Sequence, residues 1–175
     1  MLKQFWDLGE THFDYDTFGF YLYGHMKDPQ ASESGYVDDW QVQTYFENLD
    51  IEIAFRHQLL EKYDGDFVHV YSYKRYPFIK MGTTSVYENF VGLSMFDKDF
   101  VAKDVENIEE DLMVNVTYHN SKHISNEFQK CLVFDELKDE FRDDGTHFQR
   151  YREKNVEYEY VLCRLPMFGV FTLGK

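Results

Sequence analysis

Residues 126–144 read NEFQKCLVFDELKDEFRDD, and the periodicity of this stretch decides the fold class. Phe128, Cys131, Phe134, Leu137 and Phe141 recur three or four positions apart, the spacing that lines one face of a helix. Asp143, Asp144 and Gly145 follow, and a glycine just past the last apolar position is a common helix stop. The spacing predicts the longest helix of the chain here.

Working outward, residues 156–164 and 168–173 alternate like strands and are predicted to form a hairpin through Pro166. Upstream, Val114, Val116 and Tyr118 alternate as a strand, and Val105, Ile108 and Leu112 repeat at i, i+3 and i+7 in an acidic helix. Ser85 and Glu88 have capping-box spacing, which predicts a short helix. FVHVYSY at residues 67–73 carries apolar material on both faces and reads as a central strand. Asp64 and Gly65 close a helix predicted over residues 53–63, and residues 40–47 suit another. Phe18, Phe20 and Leu22 alternate with Gly19, Tyr21 and Tyr23 as a strand, followed by a loop over residues 27–38, KDPQASESGYVD. There is no repeat, no long linker and no regular βαβ rhythm. The expectation is a single α+β domain over residues 1–175, a mostly antiparallel sheet with helices packed on one face.

The chain has 32 acidic and 18 basic residues in 175, a formal charge of −14. Such a field repels phosphate backbones and anionic membranes, which argues against direct nucleic-acid or membrane binding. Hydrophobic residues at 43% exclude a disordered tract. Residues 1–8 lack the basic and apolar regions of a secretory signal, and Cys131 and Cys163 are the only cysteines. The expectation is a cytoplasmic, reducing location with free, buried thiols. Seventeen Phe and fourteen Tyr beside three Ala, with Lys exceeding Arg, match AT-biased coding and point to a low-GC bacterium, its phage or another mobile element.

On the helix predicted above, residues four apart stack. Asp135, Asp139 and Asp143 then form one acidic column and Glu136, Glu140 and Asp144 a second, with Lys138 and Arg142 in a third. Six acids over about 13.5 Å is roughly one per 2.7 Å, to be set against one phosphate per roughly 1.7 Å of duplex DNA. A second strip, residues 97–111, holds Asp97, Asp99, Asp104, Glu106, Glu109, Glu110 and Asp111 against Lys98 and Lys103. Trp40, Tyr36, Tyr21 and Tyr23 are aromatic candidates for an interface.

Enzymatic constellations are weaker. His119 and His123 are half of a zinc site that Cys131 and Cys163 would have to complete. His123 and Ser125 form one half of a two-histidine phosphoesterase pattern whose other half is missing. Asp111, Asp135, Glu136 and Lys138 could be arranged as an acid followed by E-x-K, as a metal-dependent nuclease needs. Asp14, Asp16, Glu157 and Glu159 would make paired carboxylates, but they read better as the wet face of a sheet. Asn115 and Thr117 spell a glycosylation acceptor inside a strand, which is set aside. No Gly-rich phosphate loop or nucleophile elbow is present, and no cofactor or metal is expected.

The reading is therefore an acidic inhibitor or immunity factor, of the kind phages carry against host defences. It would block a basic, nucleic-acid-handling protein partner by presenting charge like that of nucleic acid. Asp135, Glu136, Asp139, Glu140, Asp143 and Asp144, with Glu109, Glu110 and Asp111, are the expected contacts. The alternatives are a metal-dependent phosphodiesterase or nuclease using Asp111, Glu136, His119 and His123, and a structural or assembly protein of a phage-like particle.

Overall fold

Where every second residue is apolar and the intervening ones are small or polar, a chain can hide one face by pairing strands and stacking the resulting sheets. The computed structural model describes residues 12–17, 20–26, 39–46, 49–56, 58–73, 89–119, 124–135, 140–152 and 159–175. Its strands are β1 (His12–Thr17), β2 (Phe20–Met26), β3 (Asp39–Phe46), β4 (Leu49–Arg56), β5 (Phe67–Tyr73), β6 (Phe90–Phe96) and β7 (Ala102–Lys103). They continue with β8 (Val114–Tyr118), β9 (Lys130–Asp135), β10 (Glu140–Arg142), β11 (His147–Arg152), β12 (Glu159–Leu165) and β13 (Val170–Gly174). Among the described residues helix is confined to a five-residue segment, α1 (Gln58–Lys62), and a 3-10 turn (Glu110–Leu112).

The strands form two antiparallel sheets. The larger runs β1-β2-β5-β6-β13-β9-β10, with β7 beside β6, and the smaller runs β11-β12-β8-β4-β3. Ile51, Ile53 and Phe55 of β4, Val114, Val116 and Tyr118 of β8, and Val161 and Leu165 of β12 meet Val68, Val70, Val91, Leu93, Met95, Phe171 and Leu173 of the larger sheet in one hydrophobic cluster. This is a sandwich, with the core between the inner faces.

The expected α+β class, helices packed on a sheet, is overturned. The decisive stretch is not one helix: residues 130–135 are β9 and 140–142 are β10, paired so that Phe141 lies opposite Phe134 with ring centroids 5.1 Å apart. Their spacing of seven mimicked two helical turns, but the two rings meet across a hairpin. Cys131, Leu132 and Val133 are all buried, and a strand covered on both faces loses the alternation that would have revealed it. Of the helix predicted at residues 40–47, residues 40–46 are β3, and that at 53–63 gives way to the end of β4 and α1, with Asp64 at φ +52° closing α1 before Gly65. Val105, Ile108 and Leu112 are buried, as an apolar repeat should be, but in a loop ending in the 3-10 turn. The expected C-terminal hairpin is also absent: β12 pairs with β11 and β8, β13 with β6 and β9, so residues 166–169 carry the chain from one sheet to the other. The strands predicted at 67–73 and 114–118 stand, and β5 lies inside its sheet between β2 and β6. Ser85 and Glu88 lie outside the described residues.

The free-thiol expectation is overturned as well. Cys131 on β9 and Cys163 on β12 form a disulfide that joins the two sheets. A second tie between layers is Arg150 on β11. Its guanidinium reaches Glu159 (3.1 Å) and donates to the carbonyls of Ile124, Ser125 and Phe128 (3.2 Å each), fastening the loop that brings the chain from β8 to β9. Arg152 contacts the other oxygen of Glu159 (3.2 Å).

Arg150→Ala leaves the buried Glu159 with one cation fewer and releases three carbonyls. It should cost about 3 kcal/mol and lower Tm by about 6–12 °C in a thermal melt. The ring of Tyr71 covers Gly92, its cross-strand partner, so that a Cβ there would lie 1.9 Å from the ring. Gly92→Ala should therefore destabilise by about 1–3 kcal/mol in urea titration, and Tyr71→Ala in the same chain should remove the clash and most of that increment.

Candidate functional site

With alternate strand positions committed to the core, dense charge is accommodated where the chain passes between sheets. Three such passages meet: residues 58–66 between β4 and β5, residues 97–113 from β6 to β8, and residues 166–169 from β12 to β13. They are pinned to one another by the backbone. The Ile108 amide donates to the Pro166 carbonyl (2.7 Å), the Phe168 amide to the Val105 carbonyl (2.8 Å) and the Asp66 amide to the Phe96 carbonyl (2.8 Å). Val105, Ile108 and Leu112 anchor the middle passage from beneath.

The acidic strip at residues 97–111 lies on this frame, joined by acids that the sequence reading left out. Glu61 on α1, with Asp64 and Asp66 just after it, brings the set to ten carboxylates, against Lys62, Lys98, Lys103 and Arg164, a net charge of −6. The only hint of this in the sequence was the Asp64-Gly65-Asp66 turn, whose position beside the strip depends on the β5–β6 pairing. Lys62 Nζ reaches Glu109 Oε1 (2.7 Å), and Arg164 bonds the Glu110 carbonyl and approaches its carboxylate (3.7 Å). Lys103 lies 3.1 Å from Asp97 and 3.8 Å from Asp64. The Tyr63 hydroxyl donates to the Glu106 carbonyl, and the Lys98 amide to Asp66 Oδ2 (2.7 Å each).

Asp97 shapes the tip of the strip. Its Oδ1 accepts the Val101 and Asp99 amides at 2.9 Å, while Phe100 takes a left-handed conformation at φ +61°. The Val101 amide above all, then Lys103 and the Asp99 amide, hold the Asp97 carboxyl below the usual carboxylate range. Asp97 in turn raises the Lys103 ammonium, as Glu109 raises that of Lys62. Beyond the turn Val101 is 58% exposed, the one large apolar side chain so exposed among the described residues, with Asp99 and Asp104 exposed on either side.

The first acidic ladder is arranged differently from the expected columns. Asp135 faces Glu140 across the β9–β10 hairpin, Arg142 bridges Asp135 (2.8 Å) and Asp144, and Lys130 lies 3.4 Å from Asp143. Glu136, Lys138 and Asp139 lie outside the described residues. The four described acids here share two cations, and the helical charge spacing is gone. Glu109, Glu110 and Asp111 stand exposed on the second strip.

The enzymatic constellations are dispersed. Asp111 and His119 are separated by the whole of β8, about 16 Å, which prevents them from sharing an ion. His119 Nε2 lies 3.3 Å from Glu52 Oε2, a cross-strand pair beside the stacked rings of Tyr151 and Tyr160. Cys131 and Cys163 are bonded to each other and are not thiolate ligands. Among the described residues no group of three or more His, Cys, Asp or Glu is placed to hold a metal. Glu159 is buried against Arg150 and Arg152 instead of lying on a wet face, and it belongs to the smaller sheet, whereas Asp14 and Asp16 belong to β1 at the edge of the larger. Glu157, His123 and Tyr36 lie outside the described residues; Tyr21 and Tyr23 are on β2 and Trp40 on β3.

Among the described residues no helix is long and apolar enough to cross a membrane. In comparison with known proteins, no family model matches this chain and no curated sequence matches it.

Proposed function

We propose that the chain is a protein-binding inhibitor or immunity factor that engages a basic, nucleic-acid-handling partner through the acidic surface of residues 61–66 and 97–111. The observation that supports this reading is concentration of charge on a pinned frame. Ten carboxylates against four cations lie on or beside loops tied by backbone hydrogen bonds and anchored by three buried apolar side chains. A surface ordered before binding loses little conformational freedom on binding, so its charge goes into attraction and orientation of the partner. Val101 supplies an apolar contact within the acidic rim, the arrangement of a small interface centre. Competition with nucleic acid follows from sign and density of charge: the surface occupies a cationic groove in place of phosphates. The reading gives the leading role to the strip containing Glu109, Glu110 and Asp111, and a lesser one to Asp135, Glu140, Asp143 and Asp144, whose cations lie beside them.

A pull-down with the tagged chain, eluted stepwise from about 50 mM to 1 M salt, tests this, because screening shortens from over 10 Å to about 3 Å across that range. A basic partner should elute early, and the chain should inhibit that partner's action on nucleic acid. The combined variant Asp99→Lys, Asp104→Lys, Glu106→Lys and Asp111→Lys should weaken the complex at least about tenfold. Reversal of Asp135, Glu140, Asp143 and Asp144 should weaken it less. Retention of full affinity by the first variant, with an unchanged melting curve, would sink the proposal.

The frame of the surface should be acid-sensitive. A carboxyl held below its ordinary range stabilises the fold above that range, and this contribution disappears as the pH falls through the lowered value. Protection of the Val101 amide, read by hydrogen exchange, should be high near pH 6 and fall below about pH 4. In Asp97→Asn it should be low throughout.

A further inference from the structure

We infer that the Cys131–Cys163 disulfide is a lock formed on maturation, which fixes the β9–β10 hairpin to the opposite sheet and places the working protein in an oxidising environment. The two cysteines of the chain are used on each other. They sit in the core at 1% and 0% exposure, one on each sheet. β9 and β10 are the last two strands at one edge of the larger sheet, and β10 is only three residues long. Within its own sheet the hairpin is held on one side only, by the pairing of β9 with β13. Across the sandwich the covalent bond joins β9 to β12, reinforced by the Thr146 hydroxyl, which reaches the Cys131 carbonyl (2.7 Å) where the chain turns toward β11.

Disulfides of this buried, sheet-to-sheet kind persist where thiol-reducing systems are absent, which runs against the reducing cytoplasm expected from the sequence. The bond forms by exchange with a small or protein disulfide. One cysteine thiolate attacks a sulfur of the oxidant and releases its first thiol; the second cysteine thiolate then attacks the mixed disulfide and releases the other. The two cysteines are oxidised and the oxidant is reduced to two thiols, which take up the two protons the cysteines lose. With both sulfurs buried, a reductant reaches the bond only when the hairpin edge opens, so reduction of the native protein is slow and its consequence local.

Two measurements test this. The chain refolded in glutathione disulfide, then denatured and treated with a thiol-alkylating reagent, should take up no label; after dithiothreitol it should take up two. Hydrogen exchange of the oxidised and dithiothreitol-reduced forms should then differ at residues 130–142 by at least tenfold, with residues 67–73 and 90–96 unchanged. A Cys131→Val, Cys163→Ala variant, which keeps the core apolar, should reproduce the reduced pattern. Two labelled thiols in the refolded, fully folded chain would overturn the inference. So would an exchange increase spread over every strand, or none at residues 130–142.

Discussion

The structure depends on burying the inner faces of two sheets against each other. Neither sheet can shield its apolar face from water alone, and among the described residues there is no helix long enough to cover one. The cluster from Ile51 to Leu173 therefore draws on β4, β8 and β12 from one side and β5, β6, β9 and β13 from the other. Every strand that contributes to it has to be delivered to its sheet by a passage across the sandwich or a turn within one. The order β1-β2-β5-β6-β13-β9-β10 beside β11-β12-β8-β4-β3 shows how often the chain changes sides.

Those passages explain where the charge lies. A loop that crosses between layers has backbone groups to satisfy and side chains to expose, and residues 97–113 meet both demands. Val105, Ile108 and Leu112 turn down into the core, backbone amides bond neighbouring loops, and the carboxylates turn outward. The topology thus sets the position of the acidic surface, while the sequence sets its composition. Lys62, Lys103 and Arg164 each bridge to an acid at the margin of the surface, which limits repulsion without cancelling it.

Much of this was legible residue by residue while the class was misread. Val114, Val116 and Tyr118, and the two-faced run Phe67 to Tyr73, were recognisable because period two is unambiguous in short, unbroken strands. Val105, Ile108 and Leu112 were identified as buried for the right reason, their apolar character, and assigned the wrong backbone, since spacing reports which residues face inward and not how the chain gets there. Phe134 and Phe141 misled because a hairpin can bring residues seven apart into contact as readily as two helical turns. Pro166 marked a turn correctly, but nothing local says whether the next strand rejoins the same sheet. Cys131 with Cys163 is the one intrachain pairing that two cysteines allow, but 32 residues of separation carry no geometry to favour it over two free buried thiols. The second acidic strip was visible as composition; its partners Glu61, Asp64 and Asp66 were not, because only the β5–β6 pairing brings them alongside.

The far edge of β6 is shared. β13 pairs with Val91 and Gly92, while β7 pairs with Met95 and Phe96 beyond it. β13, the last described strand in chain order, is thus wedged between β6 and β9, which begin about 80 and 40 residues before it. During synthesis β9 and β10 have no docking edge in the larger sheet until β13 arrives, and contacts of such long range make for slow, late closure. A nascent chain halted before residue 170 would leave the edge of β6 and the β9–β10 hairpin both uncapped, two surfaces open to mispairing.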